Sequence, residues 1–257
     1  MVPAPPLTAV VTLVLTVAAA MLLNAGLSRP AAAQALAADL SNHLIAITTG
    51  FTGTELLVFG TVDGPGDVAI VVQGPEGEVV VRRKERVAGI WMNTDSMVFD
   101  RVPAYYAVAT TADLEGSVQP TVLQRHEIGL DHVRLVPRGA APAAQVAEFR
   151  AALIRNKQKI GLYSTRPQEV PFLGQRLFRT TFYFPSNVPT GIYTASVYLI
   201  RDGDVVSAQT MPLSVSKIGF SATMFDFAQR QSILYALVGI LLAVLLGWLA
   251  GVVFRKS

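Results

Sequence analysis

Residues 192–215 set the fold class. They read Ile192-Tyr193-Thr194-Ala195-Ser196-Val197-Tyr198-Leu199-Ile200, then Arg201-Asp202-Gly203-Asp204, then Val205-Val206-Ser207-Ala208-Gln209-Thr210-Met211-Pro212-Leu213-Ser214-Val215. β-Branched and aromatic residues crowd both runs, and apolar residues alternate with polar or small ones, the period of a strand whose two faces meet different surroundings. Asp202-Gly203 supplies the residue types that a tight two-residue hairpin turn needs. An antiparallel hairpin in a mainly β domain is expected.

Working outward, Arg179 to Phe184 forms one more run of this kind. The segment Pro189-Thr190-Gly191-Ile192-Tyr193 is similar to the turn that opens a late strand in many bacterial immunoglobulin-like sandwiches. Upstream, Ile45–Thr49, Glu55–Thr61, Val68–Gln73 and Val79–Arg83 are β-prone and separated by Gly50-Phe51-Thr52-Gly53, Asp63-Gly64-Pro65-Gly66-Asp67 and Gly74-Pro75-Glu76-Gly77. That spacing predicts an antiparallel meander. Runs at Ser96–Phe99 and Tyr105–Thr111 extend it, with Pro103 at a strand entrance or edge.

Between Pro142 and Gly161 the period changes: Val146, Phe149, Leu153 and Ile160 recur at helical intervals, Arg155, Lys157 and Lys159 lie late, and Gly161 is placed to terminate. An amphipathic helix is expected, covering a sheet edge or the seam between two β units. Residues 34–137 thus form a β-sandwich-like unit, 138–164 a connecting helix and 165–216 a second, immunoglobulin-like β unit or the closing half of the first. Residues 217–232 form a juxtamembrane segment. Its Phe220, Met224, Phe225 and Phe227 lie either against lipid headgroups or on the β domain.

Residues 233–254 are 22 uncharged residues, a helix of about 33 Å and long enough to span a bilayer core. Arg255 and Lys256 follow, so the positive-inside rule places the tail, 255–257, in the cytoplasm and the β region outside it. At the other end, apolar Leu7–Leu27 precedes Ala31-Ala32-Ala33-Gln34, the small-residue pattern of a signal-peptidase site. Residues 1–33 read as a signal peptide and Gln34 as the mature start. Residues 1–6 carry no Lys or Arg, which leaves a retained signal anchor and two spans as the alternative.

The composition removes several chemistries. No cysteine occurs, which excludes disulfides, thiol nucleophiles, iron–sulfur clusters and thiolate zinc sites. The excess of 21 Lys and Arg over 18 Asp and Glu is dispersed apart from Arg82-Arg83-Lys84-Glu85-Arg86, which reads as the solvated face or end of a strand. No nucleic-acid partner is expected. No Gly-x-Ser-x-Gly setting or glycine-rich phosphate loop is present, and Thr94-Asp95-Ser96 reads as a turn bonding its own backbone. Catalytic, cofactor and metal residues are therefore expected to be none. The alternative is a metal- or ligand-binding sensor or enzyme built on His126-Glu127-Ile128-Gly129-Leu130-Asp131-His132, where His126, Glu127, Asp131 and His132 suit a divalent ion. A strand or turn with its polar residues in water accounts for the same segment. His43 reads as a strand-start residue. Within the apolar helix, Gly239, Ala243, Gly247 and Gly251 fall at four-residue intervals, a small-residue face for packing on a second helix or a compositional coincidence.

Three passages carry a resemblance: residues 44–55, Leu44-Ile45-Ala46-Ile47-Thr48-Thr49-Gly50-Phe51-Thr52-Gly53-Thr54-Glu55; residues 82–91, Arg82-Arg83-Lys84-Glu85-Arg86-Val87-Ala88-Gly89-Ile90-Trp91; and residues 247–254. Through them the chain resembles an alphaproteobacterial transmembrane-protein family of the Alph_Pro_TM type over nearly its full length. The resemblance implies a signal peptide, an exported domain, a C-terminal span and a bacterial source, but no reaction. Its layout is similar to that of accessory subunits, with a sulfite-exporter-type permease as the implied kind of partner. The function expected is a non-enzymatic periplasmic interaction module, single-pass in the inner membrane, that meets a membrane-protein partner or a second copy through its helix.

Overall fold

The computed structural model describes residues 35–111, 114, 116–219, 228–229 and 231–254. In chain order the first strands are β1 (Leu36–Leu40), β2 (Leu44–Ile47), β3 (Gly53–Val62), β4 (Asp67–Gln73), β5 (Glu76–Val87), β6 (Ile90–Pro103) and β7 (Tyr106–Thr110). Helix α1 (Pro120–His126) and a 3-10 turn at Leu130–His132 follow, then β8 (Val136–Pro137) and helix α2 (Ala143–Lys159). The chain continues through β9 (Gln168–Glu169), β10 (Phe172–Leu173), β11 (Leu177–Pro185), β12 (Gly191–Arg201), β13 (Asp204–Lys217) and helix α3 (Ser232–Phe254). The expected signal peptide over 1–33, the apolar side chains of Phe220 to Phe227 and the tail 255–257 lie outside the described residues.

The fold is mainly β. One sheet has the order β1-β3-β11-β10, a second β2-β13-β12-β4-β7-β9, and a third β5-β6-β8. The hairpin at 191–217 forms as its sequence predicts, with Asp202 (φ 52°) and Gly203 (φ 79°) in the left-handed region at its turn. Alternation then decides which face is inside. In β12, Tyr193, Ala195, Val197 and Leu199 are buried, and they stand opposite Leu213 and Met211 of β13 and Val72, Ile70 and Val68 of β4. The facing sheet offers Leu56, Val58 and Val62 of β3 and Phe178, Phe182 and Phe184 of β11. The Phe184 ring meets Tyr193 edge-on at 5.7 Å and stacks on Tyr105 at 4.7 Å, tying the two sheets directly. Gln209 of β13 closes the open edge of β1, accepting from the Ala38 N–H at 2.8 Å and donating to the Ala38 carbonyl at 2.7 Å. That side chain stands in for a missing strand.

Several expectations change. The first strands do not form a meander: β3 pairs with β1 and β11, while β4 lies in the other sheet beside β12 and β7. The glycine-rich turn at 63–66, with Gly64 at φ 85°, carries the chain between layers. Strands within 165–216 complete both sheets begun within 34–137, as burial of two half-sandwiches demands. Arg82–Arg86 form the largely exposed end of strand β5 as expected, but Thr94–Ser96 is not a turn: it lies in β6 of the same long hairpin, in which Thr94 is the extra residue where the register shifts from Arg83↔Asp95 to Lys84↔Asn93. The Asp95 carboxylate accepts from the Ser96 N–H at 2.8 Å, the local side-chain-to-backbone bond expected of this segment.

Helix α2 buries Phe149 and Leu153, but Ile160 is exposed because the helix ends at Lys159 and Gly161 (φ 75°) turns the chain away. What α2 covers is the root of the β5–β6 hairpin. Arg83 lies over the Phe149 ring at 5.2 Å and pairs with Glu148, and Gln145 donates to Asp95 at 2.6 Å.

Candidate functional site

Beyond its root the β5–β6 hairpin is an arm of two strands. Val81, Met97 and Phe99 are buried, whereas every residue from Lys84 to Asn93 in the two strands is exposed. Ala88 (φ 50°) and Gly89 (φ 87°) make the two-residue turn at its end. Cross-strand pairs Val87↔Ile90 and Glu85↔Met92 alternate with Arg86↔Trp91 and Lys84↔Asn93, so Val87, Ile90 and Met92 share one face and Trp91 shares the other with Arg86 and Lys84. Cross-strand packing accounts for part of this apolar content. It still leaves Ile90 67%, Trp91 68%, Met92 52% and Val87 47% exposed. The sequence signal for this site was the pair of apolar runs around Ala88-Gly89, with Val87 before the turn and Ile90, Trp91 and Met92 after it, which the charge run masked.

A second feature involves the histidine segment. The chain from His126 to His132 is the end of α1 and a 3-10 turn, not a strand. Its middle is pinned by Tyr106 on the outer face of β7: the Tyr106 hydroxyl donates to the Glu127 carbonyl at 2.7 Å and accepts from the Gly129 N–H at 2.8 Å. Burial pushes the Tyr106 phenol well above the usual tyrosine range, so it remains a donor. The four candidate ligands separate. His126 packs on the Tyr198 ring at 4.9 Å; the Glu127 carboxylate accepts from Gln73 at 3.0 Å and lies 3.8 Å from Arg134. Asp131 is exposed, and its backbone carbonyl accepts from Arg150 at 2.9 Å. Among the described residues no three of His, Asp and Glu are grouped to hold a metal ion. His132 instead borders a cleft of about 730 Å³ floored by Val108, Leu123 and Ile128 and rimmed by Arg166 and Glu169. His43 precedes β2 as expected, with its ring 3.1 Å from Asp39.

Burial against the sheet lowers the His126 pKa below its ordinary 6.5, the neighbouring Arg125 adds to this, and Asp204 opposes it. The unfolded chain then takes up this proton more readily. The stability conferred by the neutral ring is full above the unfolded-state pKa and is lost as pH falls through the folded-state one. Denaturant melts are expected to weaken from about pH 7 to 5, and a His126→Gln variant to show a shallower decline. An unchanged slope would contradict the packing of His126 on Tyr198.

Helix α3 is apolar along 232–254 and long enough to cross a membrane, with no side chain in its apolar window buried. Among the described residues, a Cβ at Gly239, Gly247 or Gly251 would meet nothing within 4 Å, so no described residue covers the small-residue face. Large side chains cover the rest of the helix, among them Leu241, Leu245 and Trp248. No curated protein matches the chain. Residues 35–256 match the family described as "Putative transmembrane protein" (Alph_Pro_TM), a span that takes in every strand and all of α3, so the chain belongs to that transmembrane-protein family.

Proposed function

We propose that this chain is a non-enzymatic accessory module, held in the bacterial inner membrane by α3 with its β domain in the periplasm and its C-terminus in the cytoplasm, and that the β5–β6 arm is its interaction surface. The observation that carries this reading is the apolar end of the arm, since clustered large apolar side chains on a surface mark places where something else binds. The Arg255-Lys256 pair supports the orientation. The small residues of Ala31-Ala32-Ala33 before Gln34 support removal of a signal peptide there. Strand order supports the immunoglobulin-like assignment. β1-β3-β11-β10 against β2-β13-β12-β4-β7 follows the order of strands in such sandwiches, and the Tyr193 hydroxyl donates back to the Pro189 carbonyl at 2.6 Å. In this reading β5, β6 and the α1–α2 region are insertions, and the arm is one of them. The α3 face of Gly239, Ala243, Gly247 and Gly251 suits close packing on a transporter or permease helix or a second copy.

The test is crosslinking in native membranes. Wild type is expected to give an adduct that a combined Ile90→Ser, Trp91→Ser, Met92→Ser variant loses, while its β domain melts as before because these side chains are exposed. A Gly247→Ile, Gly251→Ile variant is expected to lose adducts formed through the membrane helix. An arm variant with undiminished crosslinking would contradict the assignment of the arm.

A further inference from the structure

We infer that the apolar end of the arm docks into the headgroup layer of the membrane that holds α3, with a cationic groove at the arm's root facing lipid phosphates. This rests on the reading of the arm as the interaction surface and names what that surface meets. Val87, Ile90 and Met92 face one side of the arm and Trp91 the other. A partner lying flat on either face leaves the opposite one in water, whereas a fluid layer entered end-on covers both. Trp is favoured at the headgroup level, where its ring is half in hydrocarbon and its N–H meets polar groups.

A groove of about 390 Å³ between α2 and β5 is lined by Arg82, Lys84 and Arg155. Arg83 in the same groove is neutralised by Glu148. Among the described residues Arg82, Lys84 and Arg155 have no ion-pair partner. Lys84 lies four residues from the turn at Ala88, about 13 Å along a strand. Insertion of the end by about 5–10 Å brings that cation to the phosphate layer. Arg86 lies nearer the end and is held back by its bond to the Gly89 carbonyl at 3.1 Å. Each cation near an anionic surface contributes about 1 kcal/mol.

Residues 218–231 alone join β13 to α3, and fully extended they reach at most about 50 Å. The β domain cannot leave the neighbourhood of the bilayer, so even a weak insertion is occupied because the second contact is intramolecular.

The full chain with Trp248→Phe, which leaves Trp91 as its one tryptophan, reconstituted in vesicles of phosphatidylethanolamine and phosphatidylglycerol, provides the test. Trp91 emission is expected at shorter wavelength than that of free tryptophan in water and to be quenched by brominated acyl chains. Arg82→Gln, Lys84→Gln and Arg155→Gln together are expected to weaken docking on the order of 100-fold, with an unchanged thermal melt. Water-like, unquenched emission overturns the inference, and quenching indifferent to the triple variant overturns the role of the groove. A photocrosslinker at Ile90 in native membranes separates the two levels. A protein adduct with no lipid quenching overturns lipid docking and leaves the arm as an interaction surface. Neither adduct nor quenching overturns both.

Discussion

Gly60→Val is expected to lower the stability of the β domain by about 3 kcal/mol, the upper end of what overpacking ordinarily costs. Gly60 sits mid-strand in β3, opposite Ala38 of β1 and Phe178 of β11. A Cβ there would fall against the Ala37 carbonyl oxygen, 2.5 Å from the Phe178 Cζ and 2.9 Å from the Ala38 Cα. The phenyl ring can rotate away. The backbone cannot move without opening β1 from β3, and β1 is fixed on its other side by Gln209. Gly77→Val is the control, because a Cβ at Gly77 meets nothing within 4 Å, and it is expected to stay within about 0.5 kcal/mol of wild type. Urea denaturation of both variants decides it. Equal stability would contradict the β1–β3–β11 register.

Tyr106→Phe is expected to cost about 2–4 kcal/mol, more than the loss of an ordinary hydrogen bond. The hydroxyl is fully enclosed and serves two backbone groups of the α1 exit, the Glu127 carbonyl and the Gly129 N–H. Phenylalanine fills the same space, so no cavity term enters. Instead two partly buried backbone groups lose their partner among the described residues, at about 1–2 kcal/mol each, the lower part of the penalty for an unsatisfied buried group. The loss is local as well as global. Glu127 is in a left-handed conformation at the C-cap of α1 (φ 53°) and Gly129 follows at φ 97°, a path held against its own preference by that hydroxyl. Hydrogen exchange is therefore expected to accelerate at Gly129 and along α1 before it does in β12. Uniform acceleration, or none, would show that Tyr106 does not organise the loop.

Legibility followed the range of the interactions. The hairpin at 191–217, helix α2 and helix α3 rest on local period and turn chemistry, and their sequences reveal them. Pairing partners are non-local. β2 lies parallel to β13 across about the whole domain, and β3 abandons its chain neighbour β4, which no local pattern states. Short pieces such as β1, β8, β9 and β10 form because an edge stands open beside them. Residues 84–93 were hidden because charge suggests solvent, and a free arm satisfies both charge and strand propensity. The histidine segment misled in the opposite way. Closeness in sequence put two imidazoles and two carboxylates together, but the end of α1 and the turn after it set them apart: His126 on Tyr198, Glu127 on Gln73, His132 at the cleft and Asp131 exposed. The Gly239–Gly251 face was readable as spacing, and among the described residues nothing lies within 4 Å of a Cβ placed at its glycines.

The central claim is that the end of the arm is covered in the membrane-bound protein. The absence of cysteine allows a clean measurement: Ile90→Cys on the arm and Tyr183→Cys on an exposed strand face, each labelled with a membrane-impermeant maleimide in native membranes and again after detergent extraction. The account predicts that position 90 is shielded in the membrane and reactive in detergent, while position 183 reacts in both. Equal, rapid labelling of position 90 in native membranes would contradict it.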